Sequence, residues 1–372
     1  GILGVLWRLW GIVVSSYRGG SRDLALLVTL ALLTSPIYGL LFSVYAPYLR
    51  SLGFTATEYG VLSGLSLLLS LLASLLAGVL SDRFGARVVL LASSVLASLS
   101  LAILSIGFKS LVYIAVMLLG FSGGLGNVAS LTLASRIPGV SLEKTLSYTS
   151  AASTIGGGLG AFGGWIPVLV SASYGLELRD AYRLVVAVAS PLVLVPTLAL
   201  VPRIRESGVG GGGGEEAGPE RVNWGVLGRL VVVNIIIGLG AGSSIHLIDY
   251  YFVLKFRVSS GELGTVFGVM QLVMGLLMLQ MPRLSQALGG SLRAYFLVAS
   301  PSILLLALLI PARDFTLAAA IYIARSILMN VANPLYQAFE MSLIPRRFRG
   351  RGASILGIVW QIPAGMGRSV GG

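Results

Sequence analysis

Eleven long apolar segments dominate this sequence and limit the folds available to it. Each is roughly 20 to 28 residues long, and an α-helix of that length, rising about 1.5 Å per residue, crosses the ~30 Å hydrocarbon core of a bilayer. Charged residues make up 11% of the 372 residues, against about a quarter in soluble domains. We therefore predict an all-α, multi-pass membrane protein with spans 1 to 11 at residues 24–49, 57–80, 88–107, 110–136, 144–171, 181–201, 224–252, 262–281, 292–311, 315–341 and 352–371.

The composition excludes several other classes of protein. Strands of transmembrane barrels alternate polar and apolar residues over roughly ten positions, and no segment here does so. The chain contains no cysteine, which excludes disulfides and thiolate metal sites. With one histidine and no carboxylate near the middle of a span, it lacks the cluster of groups that an intramembrane enzyme needs. We expect neither an enzyme nor a bound cofactor.

The distribution of basic residues predicts the orientation in the membrane. If the chain starts in the cytoplasm, the inner segments hold 17 Arg and Lys, the outer segments hold 7, and Arg325 and Arg368 lie within spans, which accounts for all 26. Inner segments of membrane proteins carry the excess of Arg and Lys. We therefore expect a cell-membrane protein with a cytoplasmic N-terminus, and the net charge of +12 reflects this topology rather than binding to nucleic acid.

The two ends of the sequence give separate expectations. Residues 1–23 are too short an apolar segment to cross the bilayer, and with Trp7, Arg8 and Trp10 they suggest a helix lying at the membrane interface, or the remnant of a longer segment. At the other end, Gly372 falls inside the last apolar run. We expect a twelfth span to be missing.

A polar linker divides the spans into two groups. Residues 202–223 contain five consecutive glycines at 210–214 and too little apolar surface to fold. They separate a first half, 24–201, with six spans from a second half, 224–372, with five. The halves also match each other at an offset of 204, as at Glu58 and Glu262. This repeat predicts two homologous six-helix halves related by a pseudo-two-fold axis, the second incomplete.

The loop between spans 2 and 3 carries the most specific motif. Its glycines, Gly78 and Gly85, permit a tight turn and close helix approach, Arg83 and Arg87 hold the loop on the inner side, and Asp82 is a lone acid among cations. Such an acid either accepts hydrogen bonds from a helix N-terminus or simply balances the neighbouring arginines in a solvated turn.

This loop resembles the G-x-L-x-D-R-x-G-x-R loop of the major facilitator superfamily. The resemblance implies a transporter of two six-helix halves, in which the loop docks the halves together on the cytoplasmic side when the transporter is open outward. In the second half the corresponding loop keeps Gly289 but has Gln286 in place of the acid. Residues 367–372 resemble the family's antiporter pattern, with Arg368 where proline is expected, and this departure weakens a drug-antiporter assignment.

Polar residues near the middle of spans are candidates for binding a solute. They are Asn234, Gln271, Arg325 and Gln361, in spans 7, 8, 10 and 11, whereas spans 3, 6 and 9 carry no amide or charged group in their interiors. A polar group in hydrocarbon is costly unless it faces protein or a water-filled cavity. We therefore expect spans 7, 8, 10 and 11 to line a path, with Arg325 either facing an anion or packing against backbone carbonyls.

The first half offers fewer candidates. Tyr38 lies close to Pro36, which frees a backbone carbonyl in span 1, and Asn127 lies deeper in span 4. Asn127 binds solute in one interpretation and joins helices by hydrogen bonding in the other.

Proton coupling would require a group that changes protonation within the membrane. His246 and Asp249 are three residues apart near the outer end of span 7, and Glu340 is near the inner end of span 10. The alternative is that His246 and Asp249 form an interfacial rim.

Together these features predict a monomeric carrier in the lipid bilayer that moves a small-molecule solute by alternating access. The sequence has no phosphate-binding loop for a nucleotide, so we expect a secondary carrier, driven by a gradient. Our first hypothesis is efflux of small organic or amphiphilic compounds. The alternatives are uptake or exchange of an anionic metabolite, and a membrane adaptor that does not transport.

Overall fold

The computed structural model describes residues 22–207, 224–244, 256, 260–345, 348–349, 351–352, 354–359 and 362–363, and within them all regular structure is helical. In chain order the helices are α1 (Arg22–Ser51), α2 (Ala56–Phe84), α3 (Ala86–Ile106), α4 (Lys109–Ser135), α5 (Leu142–Phe162), α6 (Ile166–Tyr174), α7 (Leu178–Leu200), α8 (Trp224–Ser244), α9 (Ser260–Met278), α10 (Met281–Ala287), α11 (Ser291–Ala299), α12 (Pro301–Leu308), α13 (Phe315–Asn330) and α14 (Asn333–Ser342).

The prediction of an all-α membrane protein is confirmed. Within the described residues eight helices are long and apolar enough to cross a membrane, or nine if α9 and α10, bent by 48° at their junction, form one broken span. Span 5 is continued by α6, span 9 is divided between α11 and α12, and span 10 between α13 and α14. The count of eleven spans stays a prediction, because spans 7 and 11 are described only in part.

Glycines bring α1 and α5 into backbone contact. A Cβ built on Gly160 would lie 1.9 Å from the carbonyl oxygen of Pro36, and one on Gly39 would lie 2.1 Å from that of Gly157. Within a membrane, where lipid is as apolar as leucine, such close approach is a main source of helix association. The contact fixes the part of α1 that carries Pro36 and Tyr38.

A second pair of glycines joins α4 to α2. A Cβ on Gly120 would meet the carbonyl oxygen of Ser66 at 2.3 Å, and one on Gly124 would meet that of Ser70 at 2.1 Å. The serine side chains are left on a shared face of the two helices, which lines the cavity described below.

The residues after the linker, which we continue to call the second half, pack on the first half through α5 and α9; that the two are homologous six-helix halves stays a prediction. A Cβ on Gly275 would lie 2.4 Å from Cγ1 of Ile155, and one on Gly268 would lie 2.6 Å from Cζ of Phe162. Ile155 is fully buried at this interface. The contact joins residues 151–162 of α5 to residues 268–278 of α9 and therefore sets the spacing between the halves along this stretch.

Candidate functional site

A cavity of about 1310 Å³ lies between the helices of the first half and is closed on one side by the second half. From the first half, α1 contributes Thr34, Ser35 and Tyr38. From the second half, α14 contributes Asn333 and Gln337. Both predicted first-half residues, Tyr38 and Asn127, line the cavity and are exposed in it. Whether they bind solute stays a prediction.

The lining is polar but uncharged. Among the described residues that line the cavity none is Asp, Glu, Lys, Arg or His. The hydrogen-bonding groups are hydroxyls and amides, which lie among leucines and aromatic side chains; they belong to Thr34, Ser35, Tyr38, Tyr45, Ser66, Ser70, Ser93, Ser94, Ser122, Asn127, Ser130, Thr149, Ser150, Ser153, Thr154, Thr197, Asn333 and Gln337. Such a surface can bind a solute through neutral hydrogen bonds and apolar contact.

The cavity is closed at the end of the bundle that carries the loop between α2 and α3, which we call the Asp82 end. On α2 the closure begins one turn beyond the cavity-lining Ser70, where Ser74 accepts a 2.6 Å hydrogen bond at its carbonyl oxygen from Oγ of Ser354. On α4 it begins at Ser135, whose carbonyl oxygen accepts a hydrogen bond from Nη1 of Arg349. Ser354 and Arg349 both belong to the second half, so this end of the cavity is closed between the halves.

Asp82 is the centre of this closure. Its Oδ2 accepts a 3.1 Å hydrogen bond from the backbone nitrogen of Arg351, at the start of the helical residues of span 11, and Nε of Arg351 is 3.7 Å from the same oxygen. The other carboxylate oxygen, Oδ1, lies 2.6 Å from Nη2 of Arg136 at the end of α4. Asp82 therefore accepts from the backbone of a helical segment of span 11, and the role of its loop in gating stays a prediction.

The other residues of the loop hold its shape. Gly85 has a backbone φ of +93°, which residues with a Cβ rarely adopt. It is the single residue between the end of α2 and the start of α3. Gly78 is buried, and Arg83 is exposed with its guanidinium 5.3 Å from the centre of the Phe84 ring. Arg87 donates from Nη1 to the carbonyl oxygen of Ile204 at 2.9 Å. Thus neither arginine of the loop is the main partner of Asp82.

Two residues of this end were not identified from the sequence. Arg136 is completely buried, and its Nη1 lies 2.9 Å from Oε1 of Glu206, whose side chain is also fully excluded from solvent. Glu206 further accepts hydrogen bonds from the backbone nitrogens of Ala86 (2.8 Å) and Arg87 (3.2 Å) at the N-terminus of α3. The only signal was that Arg136 ends an apolar run; Glu206 falls within residues 202–223, predicted to be an unfolded linker.

The second half contains a buried polar cluster. Asn234 on α8 donates from Nδ2 to Oε1 of Glu340 on α14 at 2.7 Å, and it lies 3.2 Å from the hydroxyl of Tyr336. The ring of Tyr336 stacks on that of Tyr295 of α11, with centroids 4.8 Å apart. Asn234 and Glu340 are 5% and 6% exposed. Asn234, predicted to bind solute, here binds a carboxyl group.

Two other predicted residues lie away from the cavity. Gln271 is at the interface between the halves, where its Cβ would lie 3.2 Å from a Cβ built on Gly158. Arg325 is 3% exposed on α13, and its Nε has no hydrogen-bond partner among the described residues. Neither is among the described residues that line the cavity.

Several candidates lie outside the described residues. They are Gln361, His246 and Asp249, the interfacial segment before residue 22, and the pattern at 367–372 with Arg368.

The comparisons with known proteins agree on one fold. The family model described as Major Facilitator Superfamily matches residues 26–367. The human organic anion transporter MFSD10 (TETRAN) superposes with a TM-score of 0.70 at 16% identity, covering 94% of this chain and 92% of that one. The Escherichia coli fucose:proton symporter FucP gives 0.71 at 12% identity, covering 93% and 90%. The proton:xylose symporter XylE gives 0.62 at 16% identity, covering 94% and 88%. No curated protein matches the sequence.

Proposed function

Because the chain belongs to the major facilitator superfamily, we propose that it is a secondary active transporter that carries a small uncharged organic solute by alternating access. The observation that carries the choice of solute is the cavity lining, which offers hydroxyls, amides and apolar surface but no charged side chain among the described residues. A charged solute would lose its hydration on entering and gain no opposite charge in return. A neutral or amphiphilic solute does not pay that cost.

In this proposal Tyr38 and Asn127 contact the solute from the first half, and Gln337 contacts it from the second. All three line the cavity. The Asp82 end faces the cytoplasm, as the distribution of Arg and Lys predicts, so the conformation described is closed to the cytoplasm. Efflux remains our first hypothesis for the direction of transport.

The alternative proposal, transport of an anion, is supported by Arg325. A guanidinium buried in a membrane is costly and usually has an anionic partner or faces a water-filled cavity. Nε of Arg325 has no partner among the described residues. In another conformation, a cavity that reached Arg325 would expose it to an anionic solute.

A thermal-shift screen of the purified protein in detergent tests these proposals, because a ligand that binds the native state raises the melting temperature by mass action. The probes are alkyl glycosides, organic anions and lipophilic cations, each with the wild type, Asn127→Asp and Arg325→Gln. We expect the glycosides to stabilise the wild type and to lose that effect with Asn127→Asp, while Arg325→Gln leaves it unchanged. Stabilisation by anions alone, abolished by Arg325→Gln, would favour the anion alternative.

Flux of the stabilising compound in proteoliposomes then separates a carrier from an adaptor. A carrier also exchanges labelled for unlabelled compound across the membrane. An adaptor would bind the compound and show no flux above that of protein-free vesicles.

A further inference from the structure

Glu340 is a buried carboxyl group whose described contacts are all neutral. It is 6% exposed, and no ion pair among the described residues includes it. Its oxygens instead accept from the amide of Asn234, at 2.7 Å, and from the hydroxyl of Tyr336. This distinguishes Glu340 from Asp82 and Glu206, which are also buried but bind arginine.

The absence of a cation in these contacts determines which form of the carboxyl is stable. A carboxylate removed from water without an opposite charge carries a large desolvation penalty, and such groups usually take up a proton instead. Two neutral donors offset only part of that penalty. In the closed conformation, therefore, the protonated form of Glu340 is favoured.

The position of Glu340 links it to both the cavity and the closure. It lies three residues beyond Gln337, which lines the cavity, and side chains three apart are neighbours on a helix. It is also in the last turn of α14, directly before the segment whose Arg349 donates to Ser135 and whose Arg351 donates to Asp82. Separation of the halves at the Asp82 end would move that segment and admit water near Glu340.

We propose that Glu340 is a proton-binding site that is loaded when the Asp82 end closes and emptied when it opens. On opening, the carboxyl O–H bond breaks and the proton passes to a water molecule, leaving a hydrated carboxylate. Before closure, the carboxylate takes a proton from a hydronium ion, which restores the neutral group and leaves a water molecule. Coupling of this cycle to solute movement rests on the proposed transport function, whereas the protonation change itself does not.

The groups around Glu340 leave few other candidates for such a titration. Tyr336 on the same helix and Tyr295 on α11 face it, and phenols stay protonated at neutral pH. The other helices packed against α14 carry charges that lie at the surface, apart from Glu143, which is half-buried and accepts from Ser291. The exposed charges are Lys144 on α5, Arg229 on α8, Arg283 on α10 and Arg293 on α11.

Infrared difference spectroscopy on the full chain in nanodiscs tests the site without a solute. Protonated carboxyl groups absorb in a C=O stretching region that carboxylates leave empty, so a pH titration follows their number. We expect the wild type to show a titrating band that Glu340→Gln removes and the surface variant Glu177→Gln retains. Tyr336→Phe, which preserves the ring stacked on Tyr295 but loses the hydroxyl, should shift that band. A band unaffected by Glu340→Gln, or one that no pH removes, would overturn the proposal.

A distance measurement tests the link to the Asp82 end. Because the sequence has no cysteine, spin labels attach only to cysteines that are introduced. Phe84→Cys and Gln286→Cys introduce one at an exposed position on each half at this end. We expect the label separation to lengthen as pH rises through the titration of the infrared band. Glu340→Gln, which mimics the protonated form, should hold the short distance at every pH.

The two experiments distinguish failure of this inference from failure of the proposed function. If the band and the distance respond as expected but no compound is transported, the proton site stands and the transport proposal falls. If glycosides are transported but both responses persist in Glu340→Gln, the transport proposal stands and the proton site is wrong.

Discussion

Nη2 of Arg136 lies 2.6 Å from Oδ1 of Asp82, and the two side chains are 0% and 7% exposed. An ion pair so fully excluded from solvent costs much desolvation free energy to form, and removal of one partner leaves the other charge buried and uncompensated. Arg136 also pairs with Glu206 at 2.9 Å, so its charge is shared between two carboxylates.

Replacement of Asp82 by Asn should therefore lower the free energy of unfolding by about 2–3 kcal/mol, somewhat less than for a buried pair with no second partner. Thermal unfolding in detergent measures the change. Asp180→Asn is the matched control, because it removes an exposed partner of Arg183 and should cost at most about 0.5 kcal/mol. Equal effects of the two substitutions would contradict the importance of the Asp82 contacts.

Glu206 ties the segment after α7 to the N-terminus of α3, since it accepts from the backbone nitrogens of Ala86 and Arg87 as well as binding Arg136. Glu206→Gln keeps the size but loses the charge at this helix N-terminus. We expect trypsin to cleave after Arg203 and Arg205 several times faster in this variant. The cleavage rate is read by mass spectrometry from the fragments that end at Arg203 and Arg205, because cleavage after Arg221 would also release two halves; Glu177→Gln should leave this rate unchanged.

Much of the architecture could be predicted from the sequence because it depends on local patterns. Span length and charge distribution suffice to identify the helices of the first half, where predicted and observed bounds differ by a few residues, except that span 5 is divided between α5 and α6. The breaks in the second half were not predicted. The sharp bend after Met278 precedes Pro282 in the first turn of α10, and α14 likewise restarts beside Pro334 inside an otherwise continuous apolar run.

The candidate site was predictable only where a motif or a single helix determined it. The Asp82 loop was identified from its spacing, Tyr38 from its position beside Pro36 in span 1, and Asn127 from its depth in span 4; that these two residues bind solute stays a prediction. The depth of a residue in the membrane does not tell which side of its helix faces the cavity. For this reason Gln271 and Arg325 were grouped with the cavity residues. Partners far apart in sequence, such as Arg136 and Glu206, arise from tertiary packing that no local pattern contains.

The glycine contact between α1 and α5 gives a stability prediction with an internal control. Gly160→Ala places a Cβ 1.9 Å from the carbonyl oxygen of Pro36, so the helices must separate. We expect a loss of about 1–3 kcal/mol or more, the usual cost of overpacking. Gly123→Ala on α4 has no neighbour within 4 Å and should instead stabilise its helix by up to ~1 kcal/mol. Melting temperatures that fall equally in both variants would contradict the packing described.

Ser74 and Ser354 give a direct test of whether the Asp82 end must open. Oγ of Ser354 donates to the carbonyl oxygen of Ser74 at 2.6 Å, joining α2 to the second half one turn beyond the cavity. Cysteines at both positions should react together with a short bifunctional thiol reagent, and the cysteine-free natural chain gives no background. If alternating access requires these halves to separate, crosslinked protein in proteoliposomes will bind the stabilising compound but lose its exchange, and cleavage of the crosslink will restore it.

A crosslink within the first half, between Ser171→Cys and Leu176→Cys, controls for the reagent. These positions lie close together at the end of α6, where Oγ of Ser171 donates to the carbonyl oxygen of Leu176 at 2.7 Å. This crosslink should leave exchange intact. Exchange that continued through a complete Ser74 to Ser354 crosslink would show that the solute passes without opening this end.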